Sequence, residues 1–210
     1  MARIRCRRCS HEQTPAFFCT SCDAVQSLPS NADYLEVLGL PPRPAVDVEA
    51  LRETWRNLSR RLHPDRFPDA DPDDLRASVQ GSALLNTAWK TLRDPEARGR
   101  WWLERAGEGL GKDNNQVPAA IAARVFEVQE ILAEFRADDA AREQVRTMRA
   151  ELMTQREDGL RALDEAFADW PLEPDSAGSH ERLTALKARL SELSYLATLI
   201  RDVDRTLGDN

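Results

Sequence analysis

The chain has 210 residues, 41% hydrophobic and 31% charged, and a net charge of -7, which is room for one or two packed domains of ordinary composition. No apolar run approaches the ~18 residues of a membrane span, and no hydrophobic signal core follows the basic N-terminus, so the chain is expected to be neither membrane-bound nor exported. Residues 118–210 hold 19 acidic against 12 basic side chains, and that balance argues against general nucleic-acid binding, which needs a cationic surface.

All four cysteines fall in the first 22 residues, as Cys6-Arg7-Arg8-Cys9 and Cys19-Thr20-Ser21-Cys22. A two-residue spacer lets both thiolates of a pair face one ion, and two pairs complete a tetrahedral sulfur shell. Structural zinc is therefore expected, one site per chain, with metal binding supplying the folding free energy of a segment too small to fold alone. The shell would carry a charge of -2, which Arg3, Arg5, Arg7 and Arg8 are placed to offset. A redox dithiol, an iron site or two disulfides are the competing readings. The segment is bounded at residues 1–30 by the linker-like "SLPSNAD".

Residues 31–108 read as several helices. "DYLEVLGL" (33–40) is a short apolar helix ending at Gly39. Asp47 caps a second, in which Leu51, Trp55, Leu58 and Leu62 form the buried stripe. Arg52, Arg56 and Arg60 recur every four residues on a different face, a basic ridge that in isolation reads as a solvated surface. Pro64 stops this helix and biases His63 away from the helical region, so His63-Pro64-Asp65 sits on a loop. Leu75 to Leu92 forms the next helix, with Val79, Ala83, Asn86 and Trp89 expected to face inward, and Asp94-Pro95 starts another.

Residues 109–117 are expected to be a linker containing "GLGKDNNQ". From 118 to 210, three long helical patterns follow, broken at 137–139 and 171–179. In the first, Pro118 to Arg136, Ile121, Val125, Val128, Leu132 and Phe135 share one face. Phe126 lies off it beside Glu130 and Glu134, either an exposed anchor or a contact to a neighbouring helix or to the domain of residues 31–108. In the middle helix Val145, Met148, Leu152, Leu163, Phe167 and Trp170 form a core stripe. In the last, Leu183, Leu186, Leu190, Leu193, Ala197 and Ile200 make a bundle seam, with Tyr195 off it.

The short first helix, the basic second helix, the His-Pro-Asp loop and the antiparallel third helix resemble a J-domain. More closely, "DYLEVLGLPPRPAVDVEALRETWRNLSRRLHPDRF", then "NTAWKTLRDPEARGRWWL", then an acidic helical C-terminal part resemble the HscB family of iron–sulfur-assembly J-proteins over about residues 33–207. The N-terminal "CRRC…FFCTSC" is similar to the tetracysteine extension of eukaryotic relatives. The fold expected is thus all-α: a zinc-knuckle segment, a J-domain and a C-terminal three-helix bundle.

The resemblance implies a co-chaperone, not an enzyme. Its J-domain would dock on a DnaK/HscA-type ATPase chaperone and stimulate hydrolysis there, while its C-terminal domain would hold an IscU-type scaffold. On this sequence the stimulating loop would be His63, Pro64 and Asp65, and the docking surface Arg56, Arg60 and Arg61. The scaffold-binding face would be Ala122, Ala123, Phe126, Glu127, Glu130, Glu134 and Tyr195. Ala122 and Ala123 depart from the family, whose members carry bulkier apolar residues there. The metal ligands would be Cys6, Cys9, Cys19 and Cys22. The rival readings are a metal-transfer or redox protein working through its CxxC pairs and a general J-protein for other clients. The expected location is the cytoplasm of a bacterium, towards which the scarcity of lysine points (Lys90, Lys112 and Lys187 only), or the mitochondrial matrix for a processed eukaryotic form.

Overall fold

The computed structural model describes residues 3–67, 71–110, 118–135, 139–171 and 176–208. The all-α expectation holds: among the described residues the regular structure is seven α-helices, two short 3-10 turns and one pair of two-residue strands. The chain divides into two compact units, Met1–Arg98 with Trp170–Leu172, and Gly99–Asp169 with Glu173–Asn210.

In the first unit, β1 (Ile4–Arg5) and β2 (Glu12–Gln13) pair antiparallel and close a tight loop around the first cysteine pair. A bridge between Phe18 and Val25 closes a second loop around the other. The two loops repeat one backbone design. Cys6 N–H donates to His11 O at 2.8 Å and Ser10 N–H to Cys6 O at 2.8 Å; Cys19 N–H donates to Ala24 O at 2.8 Å and Asp23 N–H to Cys19 O at 2.9 Å. The residue after each CxxC is left-handed, Ser10 at φ 61° and Asp23 at φ 56°. Asp is among the few non-glycine residues that tolerate that region.

Helix α1 (Tyr34–Val37) is capped by Asp33 and followed by Gly39 at φ 67°; α2 (Val48–Leu62) is capped by Asp47, whose carboxylate accepts from Glu49 and Ala50 N–H at 3.0 Å. Helix α3 (Pro72–Arg93) is capped by Asp71 and has Pro72 in its first turn, and α4 (Pro95–Arg105) follows it directly. Helices α2 and α3 form the packed pair of this unit, with Trp55 stacked on Trp89 at 5.4 Å and its indole N–H donating to Asn86 Oδ1 at 3.0 Å. Leu51 and Leu62 are buried as expected, while Trp55 and Leu58 are half-buried.

The inward face of α3 is not the one the sequence suggested. Trp89 is buried, but Val79 is 51% exposed, and Ala83 and Asn86 are exposed; the buried arc runs through Ala77, Ser78, Gly81, Leu84, Leu85, Ala88 and Leu92. The seam follows the small residues because they let α2 come close. A Cβ at Gly81 would lie 3.1 Å from Leu62 and 3.5 Å from Phe17. Phe17, Val25 and Leu28 of the cysteine segment share one core with Val37, Leu62, Ala77, Leu84 and Leu85. The segment is built into this unit's core.

In the second unit, α5 (Ala122–Ala133), preceded by a 3-10 turn at Ala119–Ile121, packs with α6 (Asp139–Ala168) and α7 (Ser176–Leu207) as a three-helix bundle. Val145, Met148, Leu152, Leu163 and Phe167 of α6 are buried, whereas Trp170 is half-buried beyond the helix end. On α7, Leu186, Leu190 and Leu193 are buried and Leu183 half-buried. Past Leu193 the buried residues are Leu196, Leu199, Val203 and Leu207, with Ala197 and Ile200 only half-buried. The seam turns there because this half of α7 faces α5 as well as α6, with Ile121, Val125, Val128, Val145, Met148 and Leu152 all in one cluster. Of the expected linker, residues 111–117 lie outside the described residues, as do 137–138 and 172–175 of the expected breaks and Arg136 of the expected first helix. The breaks also differ from the expectation, since Asp139 already belongs to α6 and residues 176–179 to α7.

Helices α6 and α7 pack tightly at Gly159, where an added Cβ would sit 3.0 Å from Leu193 Cδ2. A side chain larger than methyl has no room there without displacing Leu193. Gly159→Leu is expected to lower stability by about 1–3 kcal/mol, the usual cost of overpacking, read from urea denaturation with an unchanged m-value.

Candidate partner-binding faces and metal centre

Helix α2 ends sharply. His63 has φ -58° and ψ 129°, and Pro64–Arg66 make a single 3-10 turn. The last carbonyl of the helix, Leu62 O, is taken up by two hydroxyls from α3, Ser78 Oγ at 2.5 Å and Ser82 Oγ at 3.2 Å. These bonds satisfy a helix-end acceptor whose helical donor, the Arg66 N–H, is turned to His63 O at 2.9 Å instead. Beyond this anchor the loop stands out in solvent: the His63 side chain is 60% exposed and that of Asp65 89%. Asp65 N–H donates to His63 Nδ1 at 3.3 Å, and the Asp65 carboxylate lies 3.5 Å from the same nitrogen. No buried catalytic dyad is formed; the pair is a short stiff projection fixed at its base.

The basic ridge beside it is uneven. Arg56 is exposed and has no ion pair among the described residues, and Arg60 donates to the neutral Asn57 Oδ1 at 2.5 Å. Arg52 pairs with Glu49 at 2.8 Å. Arg61 reaches into the cysteine segment, where its guanidinium pairs with Asp23 and lies 3.9 Å over the Phe18 ring.

The four cysteine sulfurs lie within 4.8 Å of one another and can hold a metal ion. Cys6 and Cys22 Sγ are 3.7 Å apart and Cys9 and Cys19 Sγ 3.6 Å. Those separations match the edge of a zinc–thiolate tetrahedron, about 3.8 Å for bonds of ~2.3 Å, and are far above the ~2.05 Å of a disulfide. The protons also call for a cation. A hydrogen bond from the Cys9 N–H brings the Cys6 thiol down to about 6. Cys22, despite the Ala24 N–H, is pushed up to about 12 by burial and the three neighbouring thiols. A divalent cation at this point would stabilise all four sulfurs as thiolates. Around the sulfurs, Gln26 Nε2 donates to Cys6 Sγ at 3.5 Å and Ser21 N–H to Cys19 Sγ at 3.4 Å. Gln13 ties the two loops together, accepting from Thr20 N–H at 2.7 Å and donating to Phe18 O at 3.1 Å.

The nearby arginines have other partners. Arg7 and Arg8 both pair with Asp74, a buried carboxylate in the first turn of α3, with Arg8 at 3.0 Å, and Arg7 also reaches Asp73 at 2.7 Å. Arg5 pairs with Glu12 at 2.9 Å, and Arg3 donates to Glu12 O at 3.2 Å. They fasten the segment to α3 and to itself.

On α5 the apolar face is buried at Ile121, Val125 and Val128, with Leu132 and Phe135 half-buried. Phe126 is 73% exposed, so it does not pack on a neighbouring helix. Around it Ala123, Glu127, Glu130 and Glu134 are exposed and Ala122 is half-buried. Arg124 bridges Glu127 at 2.8 Å and Glu151 on α6 at 2.7 Å; its own burial works against the charge, but the two carboxylates hold the guanidinium ionised. Glu130 and Glu134 have no ion pair among the described residues. Tyr195 is half-buried against the bundle core.

No family model matches the chain. The co-chaperone protein HscB homologue of Bordetella avium is 36% identical over 150 residues, spanning 66% of this chain and 89% of that protein. The chain belongs to the HscB co-chaperone family. The HscB homologue of Chromobacterium violaceum is 32% identical over 124 residues, 58% of this chain and 71% of its own length. The HscB fold is matched in the crystal structure of human co-chaperone protein HscB, with a TM-score of 0.72 at 22% identity over 96% of this chain and 98% of that one. Chaperone HscB from Vibrio cholerae gives 0.61 at 24% identity over 83% and 96%. Among the described residues of this HscB-family chain no helix is long and apolar enough to cross a membrane.

Several residues that shape these sites carried no functional signal in the sequence. Ser78, Ser82 and Asp74 read as ordinary polar positions of a helix, and Phe18 and Asp23 as flanks of the cysteines. Only the short polar residues after each CxxC, Ser10 and Asp23, hint at the left-handed turn that aims the loops.

Proposed function

We propose that this HscB-family chain is the co-chaperone of an iron–sulfur assembly system, acting on a DnaK/HscA-type ATPase and carrying an IscU-type scaffold to it. The observation that carries the reading is the His63-Pro64-Asp65 loop, exposed and rigidly based at the end of α2 beside Arg56 and Arg60, cations with no ion pair among the described residues. A cationic helix edge attracts an acidic partner and fixes its orientation. Hydrolysis then takes place on the partner, and this chain supplies contacts, with no bond made or broken on its own side chains.

The scaffold would lie on α5 and the second half of α7. Phe126 offers an apolar anchor, Ala122 and Ala123 a shallow flank, Glu130 and Glu134 negative charge that no described residue pairs with, and Tyr195 an aromatic edge. Glu127 is the weaker candidate in this set, since Arg124 already neutralises it. The four cysteines would hold one zinc ion as a closed structural site, since all four positions of the shell are protein sulfur.

The test is a pull-down of the purified scaffold by the full-length chain. Phe126→Ala is expected to weaken that binding roughly 30-fold, the size of an aromatic hot spot, with little effect on fold because the ring is exposed. Tyr195→Phe keeps the packed ring and isolates the hydroxyl. ATPase stimulation by the scaffold-free chain should survive both changes. Retention of scaffold binding by Phe126→Ala, or capture of unrelated clients in its place, would rule out this assignment of the face.

A further inference from the structure

Arg61 is two residues from His63 and belongs by sequence to the docking edge, yet among the described residues it is the one cation of that edge compensated from outside its own helix. Its guanidinium pairs with the Asp23 carboxylate and stacks 3.9 Å over the Phe18 ring. Phe18 immediately precedes Cys19, and Asp23 immediately follows Cys22. Asp23 is held in its left-handed conformation by the turn that brings those two cysteines together, with its N–H on Cys19 O at 2.9 Å. The residues that hold Arg61 are therefore positioned by whatever keeps the second cysteine pair folded.

We propose that the second cysteine loop masks Arg61, so that Phe18 and Asp23 are positioning residues that set how many free cations the chain offers its ATPase partner. With the loop folded, the edge presents Arg56 and Arg60, and Arg61 is neutralised by Asp23. With the loop released, Arg61 joins them. The N-terminal segment thus acts as a brake on docking, and the metal that folds the loop sets it. This rests on the assignment of α2 as the docking edge.

The decisive variant is Asp23→Asn. Asparagine tolerates the left-handed backbone as aspartate does, so it removes the charge and leaves the turn. In the zinc-loaded full-length chain, titrated against the intact ATPase chaperone, Asp23→Asn is expected to tighten binding about two- to fivefold, the range for one exposed ion-pair partner. Its salt dependence should also be steeper. Arg61→Ala should reverse that gain and should cost more in the Asp23→Asn background than in the wild type. Separately, the Arg61 Nε–H resonance in an NMR spectrum of the zinc-loaded chain should move on treatment with EDTA, towards its position in Asp23→Asn. Binding by Asp23→Asn that is unchanged or weaker overturns the masking, and an Arg61 resonance indifferent to EDTA overturns its link to the metal. Asp65→Asn run alongside separates the two levels. If it fails to abolish ATPase stimulation, the docking assignment itself is wrong. If it abolishes stimulation while Asp23→Asn binds as the wild type does, only the masking is wrong.

Discussion

Asp65→Asn is expected to abolish stimulation of the proposed chaperone partner's ATPase and to leave the fold untouched. The side chain is 89% exposed, and its one tie to the rest of the loop runs through His63. The backbone N–H that donates to His63 Nδ1 is kept by asparagine, as is the side-chain shape. A surface change of this kind alters stability by no more than about 0.5 kcal/mol, so the thermal midpoint should coincide with that of the wild type. What is lost is a full negative charge at the tip of a loop whose base is immobilised by Ser78 and Ser82 on Leu62 O. Steady-state ATPase of the chaperone with scaffold, with and without the variant, reads the effect directly. A complete loss of enhancement is expected, and enhancement that persists would remove the central element of the functional reading. His63→Gln should act in the same direction while preserving the hydrogen-bonding edge of the loop.

Removing the metal is expected to have the largest effect on stability. The cysteine segment contributes Phe17, Val25 and Leu28 to the core around Leu62, and each such side chain is worth roughly 1.5–3 kcal/mol when buried. If the loops come apart without their ion, these three are withdrawn together. The loss is a substantial fraction of the ~5–15 kcal/mol that holds a typical domain folded, and α2 and α3 are expected to stay paired through their own contacts. Calorimetry of the zinc-loaded and chelated protein should show the transition of the first unit lowered by more than about 10 °C, with the second unit unmoved, since a loss of even a few kcal/mol shifts a domain of this size that far. Cys19→Ser should reproduce it. Phe17→Ala, which spares the ligands, should cost about 3–5 kcal/mol and leave metal content at one ion per chain. The ligands bind as thiolates, so protons compete with the metal: retention rises with pH and fails as pH falls. Iron in place of zinc on elemental analysis would change the assignment of the site. A metal lost to mild chelation, or a disulfide formed in air, would favour a redox or metal-transfer role for the segment.

The parts of the molecule that depend on near neighbours in the chain were legible from the residues alone. Asp33 and Asp47 cap the helices they were expected to precede or open, Pro64 ends α2, and the CxxC pairs gather four sulfurs around one point. Each of these is settled within about four residues of backbone, or by a paired spacing that suits a common metal ion. The exposed position of Phe126 was open, because its angle on α5 is compatible with either a neighbour or solvent. Only the placement of α6 and α7 leaves it 73% exposed.

Where reading by periodicity went astray, the cause was a second packing partner. Val79 and Ala83 have the right spacing for a seam, but α2 settles against Ala77, Gly81 and Ala88 because small residues permit the closest approach and the greatest dispersion contact. The seam of α7 turns at Leu196 because a third helix enters there. Arg7, Arg8 and Arg61 were read by sign alone, and sign does not say which carboxylate lies within reach. Asp74 is more than sixty positions from Arg7, and Asp23 is 38 from Arg61. The sequence by itself determined most of the elements, the pairing of the cysteines into two CxxC loops and the His-Pro-Asp loop, because helix periodicity, capping, proline and cysteine spacing are local properties. Tertiary structure alone decided which arginines remain free to meet a partner, because a charge is spent or available according to what the fold brings beside it.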